Sequence, residues 1–237
     1  MDNGNMTLVG HLEELRKMII KIILSLFIVF ILVYINSEKI LSFVLRPSKD
    51  IQFIYTKPEE LLVSYLKIFI AASLVISIPL IFYHIWKFIR PAFTREEKKF
   101  ARKILLLIIL QIYIGLIFSY YVMLPISLKF LLNFSTSNIR PLITVENYLS
   151  FLINISLTIV LIFQLPIIVI ILTKLKILTS YRMSQYKKYI IFVIFIIAAV
   201  MTPPDVISQL IIALPMILLY EISYKICVFM ERRNDKE

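Results

Sequence analysis

The sequence predicts an all-α fold: a polytopic membrane protein of six transmembrane helices, the last two short, forming a curved bundle with both termini on the cytoplasmic or stromal side. Three observations predict it. Hydrophobic residues make up 60% of the 237 and charged ones only 17%, with mean hydropathy +0.89, which is more apolar surface than one soluble core can hide. The apolar residues come in blocks close to the roughly 20 needed to cross about 30 Å of hydrocarbon. Finally, the basic residues are concentrated in alternate connecting segments, the pattern that orients membrane proteins.

The blocks place spans at about 18–36, 62–86, 104–124, 148–172, 189–202 and 206–222, within a single transmembrane domain covering 1–237. The first follows a mixed acidic and basic cluster, and no small-residue cleavage site comes after it, so it is expected to be a retained helix and not a leader. Spans two to four are long enough to cross. The last two flank Thr-Pro-Pro-Asp at 202–205; about 14 residues at 1.5 Å each rise only about 21 Å, so they are expected to thin the bilayer or to form a hairpin. Pro79, Pro166 and Pro215 fall inside spans, where each removes a backbone donor and bends its helix. The segments 37–61 and 125–147 contain Pro47, Pro58, Pro125 and Pro141, and are expected to carry short amphipathic helices on the outer face.

Loop charge sets the orientation. The segments before the first span, at 87–103, at 173–188 and after the last span hold 18 Lys and Arg, against six in the intervening ones. Lys21 and Lys67 lie near span ends, where a long stem lets the ammonium reach the interface. The formal charge of +11 is therefore a matter of topology and not a nucleic-acid stripe. The lone Cys227 cannot form an internal disulfide.

No metalloprotease, nucleophile-elbow or phosphate-loop motif is present, and there are two histidines, His11 and His84, so no enzymatic activity is expected and no cofactor or metal is implied. His84, between Tyr83 and Trp86, fits an interfacial aromatic belt, with a ligand or proton-relay role as the alternative. Acidic residues beside hydrocarbon say more, because each must face water, a partner or a polar cavity. Glu14 precedes the first span, Glu97 follows the second, Asp205 lies on the outer side and Glu221 near the inner end of the last span. Glu14 and Glu97 share one membrane face and can form an anionic pair; alternatively each pairs with a neighbour, Arg16 or Lys98, or starts a helix with a favourable dipole contact.

Taken together, HLEELR at 11–16, FIRPAFTREEKK at 88–99, YIGLIFSYYVMLP at 113–125, and TPPDVISQ at 202–209 followed by ALP at 213–215 resemble the TatC family, the multi-spanning subunit of the Sec-independent, twin-arginine protein translocase. The likeness runs in order through essentially the whole chain. It implies a core and receptor subunit that binds twin-arginine signal peptides and carries folded proteins across the membrane on the proton-motive force. By that resemblance Glu14 and Glu97 meet the two guanidinium groups, whose planar donors suit carboxylates better than lysine does. Arg16, Phe88, Pro91 and either Lys98 or Lys99 shape the pocket, with Arg16 holding Glu14. Gln164 stands where many members have a glutamate in the fourth span. Gln164, Met201, Thr202 and Gln209 are expected to contact the helix of small single-span partners of the TatA or TatB type, within a hetero-complex that is also homo-oligomeric.

Two other classes remain. A secondary transporter or channel for a small solute predicts charged or broken helices near mid-bilayer, and an intramembrane enzyme predicts a nucleophile with its base or a ligand set. Abundant Ile, Lys, Phe and Tyr suit an AT-rich genome, so the expected location is a plastid thylakoid membrane or a prokaryotic plasma membrane.

Overall fold

The protein is described by a computed structural model over residues 8–49, 51–132, 142–201 and 206–234. The described chain is almost wholly helical: α1 (Leu8–Ile35), α2 (Ser37–Leu45), α3 (Pro58–Ile89), α4 (Arg95–Phe118), α5 (Leu124–Leu132), α6 (Val145–Phe163), α7 (Leu165–Lys174), α8 (Ser180–Met201) and α9 (Val206–Asn234). Two residues each of β1 (Phe53–Ile54) and β2 (Ile143–Thr144) pair, a small exception to an all-helical chain. Five segments among the described residues are long and apolar enough to cross a membrane: Leu12–Ile35, Pro58–Ala92, Arg95–Phe130, Val145–Lys174 and Ile212–Arg232. Between the last two lies α8, which opens with the polar stretch SYRMSQYKK, so only its second half is apolar.

The helices overrun the apolar blocks, because hydropathy marks the part in hydrocarbon while backbone hydrogen bonding carries the helix on into polar sequence. Thus α8 and α9 have 22 and 29 residues, although of the two only α9, through Ile212–Arg232, counts among the five apolar spans, against the six expected. The third span does not stop near Leu124. Five residues, Ser119–Met123, widen into a π turn closed by the Leu124 N–H on the Ser119 carbonyl, and the helix then continues as α5 past Pro125, which has no N–H to donate to the turn before it. In the fourth span the helix breaks at Gln164, just ahead of Pro166 at the start of α7. Pro79 and Pro215 are accommodated inside α3 and α9.

The chain forms two compact units, one made of 1–49, 53–109 and 144–149, the other of 50–52, 110–143 and 150–237. In the first, α1 packs along α3 through buried Val29 and Val33 on one side and Ile68, Phe69 and Ile78 on the other. At one end of α3, buried Glu60 accepts from the Thr56 N–H and hydroxyl, both at 2.8 Å, and so caps the helix. Nearby, Tyr148 donates to the Val44 carbonyl at 2.9 Å and packs on Phe53, and Lys67 pairs with Glu146 at 2.6 Å, so this ammonium finds a carboxylate as well as the interface.

In the second unit α9 packs against both α7 and α8 around Ile159, Ile194, Ala198, Ile212, Met216 and Cys227. Gly115 of α4 lets a neighbouring segment approach: an added Cβ would lie 3.2 Å from the Val160 Cα. Four residues on, the Ser119 and Ser156 hydroxyls share a hydrogen bond at 3.0 Å, which satisfies two hydroxyls where no water is available.

Candidate functional site

The two carboxylates singled out by sequence both belong to the first unit and are held differently. Two adjacent glutamates near the start of α1 divide between roles. Exposed Glu13 pairs with Lys17 at 2.8 Å, one helical turn on. Half-buried Glu14 makes no hydrogen bond or ion pair among the described residues. Arg16 is exposed and does not hold Glu14 as expected, since side chains two apart on a helix point to nearly opposite sides.

Glu97 sits in the first turn of α4. Its Oε2 accepts from the Thr94 N–H at 2.9 Å and from the Thr94 hydroxyl at 2.8 Å, and the Glu97 N–H donates back to that hydroxyl at 3.4 Å. This reciprocal arrangement is a capping box, the helix-starting role left open above. Oε2 is committed to Thr94; the side chain as a whole is exposed, and Oε1 has no partner among the described residues. Glu97 thus has a fixed rotamer and unused acceptor capacity.

Register brings Glu14 towards the segment leading to Glu97. Tyr34 of α1 meets Phe69 of α3 edge to face, ring centroids 5.9 Å apart. Successive crossings run in opposite directions, and both helices rise 1.5 Å per residue. Glu14 lies as far before Tyr34 as Ile89 lies after Phe69, so it stands level with the end of α3 and the tight turn Arg90–Ala92. In that turn Phe93 N–H donates to the Arg90 carbonyl at 3.4 Å, and Trp86 stacks on Phe93 across it, centroids 6.5 Å apart at 21°. Pro91 is exposed within the turn and Phe88 half-buried beside it. Thr94 and the Trp86–Phe93 stack are what the sequence reading missed, although Thr-x-x-Glu at 94–97 spells the cap.

The remaining residues belong to the second unit. Gln164 occupies the break between α6 and α7, half-buried, its Nε2 reaching the Val160 carbonyl at 3.4 Å. Gln209 donates from Nε2 to the Phe195 carbonyl at 2.9 Å and so ties α9 to α8. Tyr220 adds a second tie, its hydroxyl donating to the Met183 carbonyl at 2.6 Å. Glu221 forms an ion pair with Lys187, and Glu231 accepts from the Ser180 N–H at 2.9 Å. Met201 ends α8; Thr202 and Asp205 lie outside the described residues. His84, back in the first unit, is half-buried with its ring against Tyr83, centroids 5.6 Å apart. Among the described residues no group of His, Cys, Asp and Glu is arranged to hold a metal.

Comparison with known proteins covers the whole chain. A family model described as Sec-independent protein translocase protein (TatC) matches residues 10–215. The Sec-independent protein translocase protein TatC of Carboxydothermus hydrogenoformans is 35% identical over 237 residues, covering 99% of this chain and 98% of that one. An uncharacterized tatC-like protein, ycf43, of Gracilaria tenuistipitata is 35% identical over 220 residues, 92% of each. A crystal structure of the twin arginine translocase receptor TatC in DDM is similar with a TM-score of 0.75 and 32% identity, over 92% of this chain and 99% of that one.

Proposed function

The chain belongs to the TatC family of Sec-independent protein translocase proteins, and from that premise we propose that it is the receptor and core subunit that binds twin-arginine signal peptides, with Glu14 and Glu97 accepting the two guanidinium groups. It is a multi-pass integral membrane protein and a component of a translocase. The observation that carries the binding assignment is the level placement of an unpaired, half-buried Glu14 with the turn that leads to a capped, exposed Glu97. A carboxylate already locked by an internal ion pair, as Glu13 is, has less to offer an incoming arginine. Orientation by basic loops places this end of the unit on the cytoplasmic or stromal face, where a precursor arrives.

Transport by the proton-motive force, with TatA- or TatB-type partners docking at Gln164, Gln209, Met201 and Thr202 and with Asp205 acting near their outer end, completes the reading. Gln164 is neutral, so its contribution to such a contact is a hydrogen bond between helices and not a charge.

The test is equilibrium binding of a twin-arginine peptide to the purified full chain. Replacing its two arginines by lysines, or introducing Glu14→Ala or Glu97→Ala, should weaken binding by about tenfold or more each, as expected for the loss of charged hydrogen bonds. Glu13→Ala should change it by less than about threefold. Indifference to both active-position changes would remove the site assignment.

A further inference from the structure

The first turns of α4 carry a second charged feature, on the side of the helix away from Glu97, which takes in Lys98 and Lys99, one of them assigned by the family resemblance to shaping the peptide pocket. Arg95, Lys98, Lys99, Arg102 and Lys103 are spaced i, i+3, i+4, i+7 and i+8, which places all of them on one side of the helix. Glu97 projects to the other side, in line with buried Ile104 and Gly115; Glu96 stands at the stripe's edge. Four of the five cations are exposed and Lys98 is half-buried, and none forms an ion pair among the described residues. Orientation by basic loops accounts for the number of these charges but not for their segregation, since it is indifferent to which side of a helix they occupy.

The same side continues without interruption into apolar sequence. One turn beyond Arg102 and Lys103 comes Leu106, 59% exposed, and one turn further Leu110, 54% exposed. A face that is cationic over its first two turns and then apolar and outward has the polarity of a phospholipid read from headgroup to acyl chain. Its change of character falls where α4 enters the apolar stretch, so the cations sit at headgroup depth and Leu106 and Leu110 at the depth of the acyl chains. Guanidinium and ammonium donors there match phosphate oxygens, and their long stems keep the charges at the boundary. We propose that this face of α4 is a docking surface for an anionic phospholipid, its phosphate held by Arg95, Lys99, Arg102 and Lys103 and its acyl chains lying along Leu106 and Leu110. The lipid would then lie on the side of α4 opposite Glu97, with Lys98 or Lys99 as the one point shared with the peptide pocket, and the lipid assignment stands whether or not the peptide reading does.

The experiment compares retention of phosphatidylglycerol and phosphatidylcholine by the purified full-length protein in mixed detergent micelles. The wild type should hold phosphatidylglycerol preferentially, and the preference should fall by about fivefold for each cation removed, hence by well over tenfold in the triple variant R95Q/R102Q/K103Q. The double variant R95K/R102K should keep it. Should the triple variant fail to fold, the wild type supplies a second measurement: retention of phosphatidylglycerol, but not phosphatidylcholine, should drop as salt rises from about 0.05 to 0.5 M. Equal retention of the two lipids, or a triple variant that behaves as wild type, overturns the proposal. So does displacement of phosphatidylglycerol by millimolar inorganic phosphate, which would show that the chains contribute nothing, or by a short acidic peptide, which would give the face to a protein partner.

Discussion

Two glutamates of the first unit, Glu60 and Glu97, perform the same local task in opposite surroundings. Each lies in the first turn of a long helix and accepts both the backbone N–H and the hydroxyl of a preceding threonine, Thr56 for one and Thr94 for the other. Glu60 is 6% exposed, near the packed group of Phe53, Tyr148 and the Lys67–Glu146 pair. Glu97 is exposed, at the far end of the α3 crossing. Where the cap is buried, the carboxylate is shut away from any incoming group: Oε2 takes both Thr56 hydrogens and Oε1 is enclosed without a partner among the described residues. Where it is open, the same hydrogen bonds fix the rotamer and leave the second oxygen unpartnered on an exposed side chain, so that a helix-starting device becomes a pre-organised acceptor.

This contrast can be broken by separating stability from binding. The largest effect on stability is expected from Glu60→Ala, which removes the acceptor of both Thr56 hydrogen bonds and empties a buried site; Tm in detergent should fall by about 5 °C with twin-arginine peptide affinity unchanged. A tenfold loss of affinity there would erase the distinction between the two caps. Thr94→Ala should do the converse. Loss of an N-cap is worth about 1 kcal/mol in helix stability, a Tm change of about 2–4 °C, while peptide affinity drops about threefold or more because Glu97 is no longer held; Thr94→Ser should restore both. If affinity survives Thr94→Ala intact, pre-organisation is not the role of that cap. The smallest effect is assigned to Lys187→Gln in the second unit. Its pair with Glu221 is partly open to solvent, 47% and 36% exposed, so stability should move by at most about 1 kcal/mol, read as a Tm shift of a few degrees or less. A larger drop would mean that the pair is better shielded than its exposure indicates.

The second unit shows the inward-turned alternative throughout. Gln209, Tyr220, Glu221 and Glu231 each engage α8 or the residues beginning it, and in hydrocarbon such ties are the means by which polar side chains are tolerated between helices. Gln164 differs in that, among the described residues, its amide reaches a carbonyl of the preceding turn, Val160 of α6, at the long distance of 3.4 Å.

Membrane class, helical content and the approximate course of the spans were legible in the sequence, because hydrocarbon admits only internally bonded backbone and so forces long apolar runs to be helices. Glu14 and Glu97 stood out as acidic residues beside apolar runs and by resemblance to the TatC family, and a helix start at Glu97 was open from its position, whereas Thr94, the other half of the cap, was missed although it lies within one turn. The Glu13–Lys17 pair, one turn apart, and the break at Gln164, just ahead of Pro166, are local too; tertiary structure alone decided that Ser119 meets Ser156 and that Glu60 is enclosed while Glu97 is open. Hydropathy records how apolar a segment is but not which neighbour its polar atoms meet. That is fixed by the register of packed helices, where a displacement of one residue turns a side chain by about 100°.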